Sequence, residues 1–251
     1  MVVTNPLIEL RGVTLYYGGN DVVRDIDLVV RAGETKVILG PSGVGKSTIL
    51  KAILGLLKPK SGEIRVHAKT FSNLSGPELI QVRLRMAMVF QQGALFDSMT
   101  VGENVSYRLR EHQMLPETGI QTRVTDVLKF VGLEGAFKLR PAQLSGGMKK
   151  RVAIARALAP APDIFLFDEP TVGLDPINYY NIEQLILKLK AQKFTIVIVT
   201  HDVESAMRLA DSIVMLHEGK FIFEGTPEEL KQNTDKRVRG FLDPSTYLTA
   251  N

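Results

Sequence analysis

The chain has 251 residues, of which 45% are hydrophobic and 23% charged, values typical of a folded protein with a sizeable core and not of a disordered one. Cysteine is absent, which excludes a disulfide framework, a thiolate metal site and a cysteine nucleophile. The formal net charge of +4 is too small to predict nucleic-acid binding by itself.

We expect no targeting or membrane-spanning segment in this sequence. The N-terminus has no basic stretch followed by an apolar one, so we expect no signal peptide. No apolar run approaches the roughly 18 residues that a bilayer span needs. Any work at a membrane is therefore expected to go through a partner.

The predicted elements begin with two strands, residues 7–15 and 22–30, joined by a glycine-rich turn. Short, continuous apolar runs of the buried-strand type follow at residues 37–39, 86–90, 164–167 and 195–199. Helical patterns separate them, at residues 47–54 and 176–189 among others, and a proline-containing N-cap pattern starts one more helix at Thr226. This alternation predicts an α/β protein with mostly parallel strands covered on both faces.

The middle of the chain differs, because residues 93–159 hold helical patterns and no convincing strand. We predict a helical subdomain there, inserted into a core made of residues 1–92 and 160–232. Residues 233–251 form a C-terminal extension, which is polar and basic before two apolar pairs, Phe241-Leu242 and Tyr247-Leu248. The extension is either a loose tail or a docking segment.

A glycine-rich loop between a predicted strand and a helix carries the strongest motif. The predicted phosphate-binding residues are Gly40, Pro41, Ser42, Gly43, Val44, Gly45, Lys46, Ser47 and Thr48. In such a P-loop the backbone N–H groups cradle phosphate oxygens, and the helix directs its positive end at them. Lys46 then neutralises charge on the β- and γ-phosphates, and the Ser47 hydroxyl ligates Mg²⁺. ATP and Mg²⁺ are the expected cofactors.

Two carboxylates follow the apolar run at residues 164–167. Ligands of open α/β sheets bind at the carboxyl ends of strands, which is where Asp168 and Glu169 fall. We predict that Asp168 belongs to the Mg²⁺ shell and that Glu169 is the general base that polarises the attacking water.

A Leu-Ser-Gly-Gly-Met segment at residues 144–148 precedes a helical pattern, and Leu144 lies 24 positions before Asp168. Alone it would be an N-cap and a turn. With the P-loop and the acidic strand, it resembles the signature motif of the ATP-binding-cassette (ABC) ATPases, and the resemblance covers roughly residues 7–230. It implies an ABC nucleotide-binding domain with a mostly parallel core sheet, an antiparallel β-subdomain and an inserted helical subdomain.

The resemblance also implies a head-to-tail homodimer with two ATP molecules at its interface. In the family, the signature helix does not meet its own nucleotide but caps the γ-phosphate held by the second subunit. Ser145, Gly146 and Gly147 are therefore expected to bind ATP in trans. Asp175, after Gly173-Leu174, is similar to the residue of the loop that couples the two sites.

Three more residues match family positions at which nucleotide or metal is contacted. Tyr17 resembles the aromatic that stacks on adenine, with Tyr16 as its rival. Gln91 resembles the glutamine that senses Mg²⁺ and water, with Gln92 beside it. His201 resembles the histidine that contacts the γ-phosphate. The expected metal set is thus Ser47, Gln91 and Asp168, and the expected catalytic set is Glu169, His201 and Gln91.

A narrower likeness is carried by residues 92–101, 109–112, 144–148 and 235–242, which are similar to the ATPase subunits of Mla/Mce-type phospholipid transporters. It implies an integral membrane permease of MlaE-like type, an Mce-type lipid-binding protein and a small regulatory subunit as partners, with no nucleic acid. The chain would sit on the cytoplasmic face of the inner membrane, held there by the permease. It departs from that pattern at Lys149-Lys150 and Leu174.

Two interaction segments follow from these expectations. Residues 93–117, with Ala94-Leu95-Phe96 at their start, are predicted to dock the permease, although Leu95 and Phe96 would alternatively fill the subdomain core. The C-terminal extension is predicted to steady the dimer, and packing on its own core is the alternative.

Other functions stay open at this point. A non-transport ABC ATPase acting on nucleic acid or ribosomes is one alternative, and a transporter for another substrate is a second. A non-hydrolysing ATP switch is a third, which Glu169 disfavours. The basic run at residues 149–151 is predicted to be a solvated helix face and not a nucleic-acid patch. The run at residues 236–239 is predicted to be the solvated start of the tail, and contact with anionic lipid headgroups is its alternative.

Overall fold

The computed structural model describes residues 6–243, and within that range the chain forms ten strands and nine α-helices. The strands are β1 (Pro6–Tyr17), β2 (Asn20–Arg31), β3 (Thr35–Leu39), β4 (Ser61–Val66), β5 (Lys69–Thr70), β6 (Met86–Val89), β7 (Ile164–Asp168), β8 (Thr195–Thr200), β9 (Ser212–His217) and β10 (Lys220–Gly225). The helices are α1 (Lys46–Ile53), α2 (Gly76–Leu84), α3 (Val101–Glu111), α4 (Glu117–Phe130), α5 (Gly146–Leu158), α6 (Pro176–Ala191), α7 (Val203–Leu209), α8 (Pro227–Gln232) and α9 (Lys236–Leu242).

The described residues divide into two units, the first made of residues 6–83 and 190–243 and the second of Leu84–Leu189. The second unit contains the predicted helical insertion, residues 93–159, together with the strands on either side of it. Among the described residues, no helix combines the length and the apolar character that crossing a bilayer takes.

The first unit contains an antiparallel sheet and a mostly parallel group of strands. The antiparallel sheet has the order β2-β1-β4-β5, and the turn predicted between β1 and β2 is present. In the other group β3 pairs in parallel with β8 and β9, and β10 pairs antiparallel with β9. Every residue of β3 and β8 is buried, as their unbroken apolar runs predict for parallel strands.

The second unit combines a parallel strand pair with a helical part. Strand β6 pairs with β7, and Val89 stands opposite Phe167 near their carboxyl ends. Helices α3, α4 and α5 pack on one another through apolar faces that include Val105, Val127 and Ile154. No strand falls between residues 93 and 159, as expected for a fold with an inserted helical subdomain, and the bounds of that subdomain stay a prediction.

The N-cap predicted at Thr226 is also present. The Thr226 hydroxyl accepts a hydrogen bond from the Glu229 N–H at 3.2 Å, and the Glu229 carboxylate accepts one from the Thr226 N–H at 2.7 Å. This reciprocal pair satisfies two donors that the start of α8 would leave without partners.

Candidate functional site

The glycine loop lies where its mechanism requires, between the end of β3 at Leu39 and the start of α1 at Lys46. Gly40 passes so close to the first unit's own backbone that a Cβ atom there would lie 2.3 Å from the Leu216 carbonyl oxygen. Gly45 has φ of 109°, in the left-handed region that favours glycine. Both positions therefore require glycine, and the loop can fold tightly enough to present its N–H groups to phosphates.

Lys46 is buried and is held by the loop itself. Its Nζ donates to the carbonyl oxygens of Gly40 and Pro41, both at 2.8 Å. These bonds keep the ammonium inside the curve of the loop, which is where a phosphate chain would pass. Ser47 lies one residue further along the first turn of α1 and is partly exposed.

His201 and the P-loop start from neighbouring strand ends in the first unit. Leu39 stands opposite Thr200 in the parallel register of β3 and β8, so Gly40 and His201 leave the sheet at the same edge. His201 is exposed, and the next residue, Asp202, caps α7 by accepting a bond from the Ser205 N–H at 3.1 Å. The geometry is compatible with a histidine that reaches a nucleotide at the P-loop.

Tyr16 and Tyr17 are both about half exposed but face different lysines. The Lys51 ammonium lies 5.3 Å from the centre of the Tyr17 ring, and Lys51 belongs to the helix that follows the P-loop. The Tyr16 ring instead lies 5.8 Å from the Nζ atom of Lys60. Because Tyr17 lies toward α1, the helix that follows the P-loop, we favour Tyr17 over Tyr16 as the adenine-stacking residue.

In the second unit, Asp168, Glu169 and Gln91 lie at one sheet edge. The parallel register of β6 and β7 brings their carboxyl ends together, so Gln91 follows one strand and the two carboxylates end the other. Asp168 and Glu169 are buried, whereas Gln91 is exposed. Glu169 has φ of 46°, in the left-handed region that non-glycine residues rarely adopt.

Lys150 contradicts part of the prediction for the basic run at residues 149–151. It is buried, with 7% of its surface exposed, and its Nζ lies 3.4 Å from the Glu169 carbonyl oxygen. Burial lowers the pKa of Lys150, and the nearby charges of Asp168 and Glu169 act in the opposite direction. The predicted solvated face is therefore wrong at Lys150, because the acidic strand end covers that face of α5.

The signature segment caps the start of α5. Ser145 is exposed, and its hydroxyl accepts a bond from the Met148 N–H at 3.2 Å. Gly147 packs against a neighbour in the same unit: a Cβ atom there would lie 2.0 Å from the Asn178 Oδ1 atom. Position 147 therefore requires glycine, because Asn178 leaves no room for a side chain there. Ser145 and Gly146 are exposed, so the start of the helix is accessible.

Asn178, which the sequence analysis did not single out, connects the signature segment to the loop that ends at Asp175. The Asn178 side chain donates to the Asp175 carboxylate at 2.5 Å. That carboxylate also accepts from the N–H groups of Ile177 and Asn178, at 3.1 and 3.0 Å. These bonds lower the pKa of Asp175, with the Asn178 side chain contributing most. Only the spacing of Asn178 three residues after Asp175, on a helix start, signalled this contact.

The donor chemistry of the expected metal residues fits Mg²⁺. Ser47, Gln91 and Asp168 offer a hydroxyl, an amide and a carboxylate, and Mg²⁺ prefers oxygen ligands and is usually shared with substrate phosphates. Across residues 6–243 no cluster of three or more His, Cys, Asp or Glu side chains forms a separate metal site. In the first unit Gly40 and His201 lie at one sheet edge, and in the second unit Gln91, Asp168 and Glu169 lie at one sheet edge. That these five residues contact the same nucleotide remains a prediction.

Comparison with known proteins adds independent information. Residues 23–172 match the family model described as ABC transporter. The chain is 44% identical, over 94% of its length and 90% of the relative's, to the intermembrane phospholipid transport system ATP-binding protein MlaF of Haemophilus influenzae. It is 41% identical to the probable ribonucleotide transport ATP-binding protein mkl of Mycobacterium leprae, over 94% of this chain but 68% of the relative.

Solved structures agree with these matches. The structure of cbiO1 from Clostridium perfringens, described as part of the ABC transporter complex cbiONQ, superposes with a TM-score of 0.83 at 32% identity, over 96% of this chain and 97% of that one. A dimeric post-hydrolysis state of the ATP-binding cassette MJ0796, bound to ADP and Pi, gives a TM-score of 0.80 at 36% identity, over 88% and 98%.

Proposed function

This chain belongs to the ABC transporter family, and on that premise we propose that it is the ATPase subunit of a phospholipid transporter of Mla/Mce type. The chain is an ATP-hydrolysing cassette that works as a dimer. The observation that carries the lipid assignment is the 44% identity to MlaF over nearly the full length of both chains.

The proposed mechanism assigns binding and orientation to the first unit. The P-loop N–H groups hold the phosphates, Lys46 neutralises their charge, and His201 contacts the γ-phosphate. Ser47, Asp168 and Gln91 would hold Mg²⁺, which would supply further charge neutralisation to the phosphates. Tyr17 stacks on the adenine ring.

Proton removal is assigned to Glu169, which accepts a proton from the attacking water. Little covalent chemistry is asked of the protein, since the phosphoryl transition state is loose and catalysis consists mostly of positioning and charge stabilisation. Ser145, Gly146 and Gly147 complete the site of the partner subunit, and the start of α5 carries about half a positive charge for that purpose. The exposure of Ser145 and Gly146 supports this role.

The proposed partners follow from the same assignment. The dimer would bind an integral membrane permease of MlaE-like type on the cytoplasmic face of the inner membrane. An Mce-type lipid-binding protein and a small regulatory subunit would complete the assembly. Substrate choice would lie in the permease, because the cassette converts ATP binding into motion.

The assignment is tested by isolating the tagged chain from native membranes and identifying the bound proteins and small molecules by mass spectrometry. We expect an integral membrane permease and enriched phospholipid. A ribonucleotide in place of lipid would favour the second candidate function, which the 41% identity to mkl supports over a smaller share of that relative. Copurification with ribosomes or nucleic acid would contradict both.

The start of the helical insertion offers a surface for the permease. Phe96 is 41% exposed and its ring centre lies 4.8 Å from that of Tyr107. The buried Asn104 side chain fixes the loop, because its Oδ1 accepts from the Phe96 N–H at 2.8 Å and its Nδ2 donates to the Phe96 carbonyl at 3.1 Å. The exposure of Phe96 disfavours the alternative in which it fills the subdomain core.

A shallow cavity of about 410 Å³ lies beside this aromatic pair. Met99, Tyr107 and the charged side chains of Glu103, Arg110 and Glu111 line it. Apolar and charged side chains thus line one surface, and protein interfaces likewise combine apolar contacts with polar ones at their edge. We propose that a cytoplasmic helix of the permease docks here, as the sequence predicts for residues 93–117.

Replacing Phe96 with aspartate tests this docking surface. We expect the variant to fold, since Phe96 is 41% exposed and lies outside the buried core, and to bind the permease at least about 30-fold more weakly, as loss of an aromatic interface anchor does. Pull-down of the permease and the melting temperature are the measurements. Ile80→Asp, at an exposed apolar position on α2, is the matched control. A folded Phe96→Asp protein that keeps full permease affinity would refute the proposal.

The C-terminal extension has two parts with different expected roles. In α9, Val238 is fully buried within its own chain, whereas Lys236, Arg237 and Arg239 are exposed, as predicted for a solvated basic run. This supports the alternative of packing on its own core for this helix. Tyr247 and Leu248 lie outside the described residues, and we propose that residues 244–251 steady the dimer.

Two truncations separate these roles. Removing residues 244–251 should weaken dimerisation with little change in the free energy of unfolding. Truncation after Thr234 removes Val238 as well and should lower that free energy by an additional ~1.5–3 kcal/mol, the value of one buried aliphatic side chain. Sedimentation and urea unfolding are the measurements. Unchanged dimerisation in the shorter truncation would argue against a role for residues 244–251.

A further inference from the structure

One buried cation has no part in the mechanism described so far. Lys150, on α5, is 7% exposed, whereas Lys149 and Arg151 on either side are partly exposed. A lysine is rarely buried unless its ammonium has a partner, because desolvation of the charge is costly. The partner that the structure provides is the main-chain carbonyl of Glu169, 3.4 Å from Nζ.

That carbonyl belongs to a residue with a sparsely populated backbone conformation. Glu169 has φ of 46°, which places its side chain in a direction that the ordinary strand conformation would not give. Besides Lys150, the Val172 N–H donates to the same carbonyl, also at 3.4 Å. Both bonds are long, so neither alone holds the turn firmly.

The charges around Lys150 agree with this contact. Asp168 and Glu169 are both buried at the end of β7, and each attracts the Lys150 ammonium. The ammonium thus lies beside the two carboxylates that the proposed mechanism uses, but it bonds to main chain. An ammonium that bonds to a main-chain carbonyl holds the backbone in place and does not exchange protons with the substrate.

We propose that Lys150 is a positioning residue: from the signature helix it holds the Glu169 carbonyl, and so the left-handed turn that orients the Glu169 carboxylate toward the attacking water. The inference rests on the proposed role of Glu169 as general base. The contact between Lys150 and the Glu169 carbonyl also connects the signature helix with the acidic strand inside one subunit. A movement at the start of α5 would therefore change the position of Glu169.

The test compares Lys150→Met, Lys150→Arg and the control Lys149→Met in steady-state ATP hydrolysis. Because an error of about 1 Å in a reacting group costs on the order of 10²-fold in rate, we expect Lys150→Met to lower kcat by roughly 10- to 100-fold. The KM for ATP should stay within about 3-fold, since no phosphate contact is lost. Lys150→Arg keeps a cationic donor and should retain most of the wild-type kcat. Lys149→Met should behave as the wild type.

A double-mutant cycle with Glu169→Gln separates positioning from general stability. If Lys150 acts through the Glu169 carboxylate, Lys150→Met should cause no additional loss of the residual turnover in the Glu169→Gln protein. A further 10-fold fall there would overturn the proposal. Should Lys150→Met not fold, Lys150→Gln replaces it, because the glutamine side chain is uncharged and one atom shorter than that of lysine and so should not reach the Glu169 carbonyl; the same loss of kcat is then expected, and an unchanged kcat would overturn the proposal.

The outcomes also distinguish this inference from the proposed function. Wild-type turnover in the Glu169→Gln protein would show that Glu169 is not the general base, and it would overturn this inference as well. Loss of turnover in Glu169→Gln together with unchanged kcat in Lys150→Met would overturn only the role of Lys150.

Discussion

Replacing Glu169 with glutamine is expected to lower ATP turnover by about 10²- to 10⁴-fold, the usual contribution of a general base. The amide is nearly isosteric with the carboxylate but accepts no proton from water. ATP binding should persist, because the phosphate contacts assigned to the P-loop and Lys46 are untouched. Turnover by phosphate release and affinity by calorimetry are the measurements.

The same variant should also change the association state. If ATP holds two chains together and hydrolysis separates them, the Glu169→Gln protein should remain a dimer in Mg-ATP during size-exclusion chromatography and a monomer without nucleotide. Glu183→Gln is a suitable control, since Glu183 is a buried acidic residue on α6 outside the proposed site. Normal turnover in the Glu169→Gln protein would show that Glu169 is not the general base.

Replacing Ser145 with arginine is expected to abolish turnover while leaving ATP binding to the isolated chain nearly intact. Ser145 is exposed at the start of α5, so arginine there should keep the fold, at a cost of about 1 kcal/mol for the lost N-cap bond to the Met148 N–H, and should block approach of the second subunit. Loss of preorganised donors near the γ-phosphate costs on the order of 10²- to 10³-fold in rate.

Lys46→Ala provides the contrast, because Lys46 is assigned to the chain's own nucleotide. Losing that buried cation should weaken ATP binding by about 2–5 kcal/mol. The affinity of each variant for ATP, measured on the monomer, separates the two roles. An equal loss of affinity in Ser145→Arg and Lys46→Ala would count against action in trans.

Much of the fold could be predicted because its signals are local. The P-loop between β3 and α1, the apolar runs of β7 and β8 and the cap at Thr226 each depend on neighbours in sequence. Strands β9 and β10 were missed although Ser212–His217 contains a short apolar run before the Glu218-Gly219 turn. Strand β10 is only partly buried, so its antiparallel pairing with β9, and not a pattern in its own sequence, makes it a strand.

The parts of the site that could not be predicted are contacts between distant residues. Burial of Lys150 depends on Asp168 and Glu169, which β7 delivers to the face of α5. The close approach of Gly147 depends on Asn178, 31 positions later in the chain. Helical spacing alone suggests a solvated face for Lys150 and a simple turn for Gly147, so tertiary packing decides both.

The most direct test of a composite site uses two single-chain tandem dimers that differ only in where Lys46→Ala and Ser145→Arg are placed. With the substitutions on opposite halves, one site keeps both its P-loop lysine and the partner's signature serine. With both on the same half, each site loses one of them. In single-turnover hydrolysis, we expect about one ADP per dimer in the first protein and almost none in the second. The reverse result, hydrolysis only when both substitutions share a half, would show that each chain completes its own site and would contradict the account.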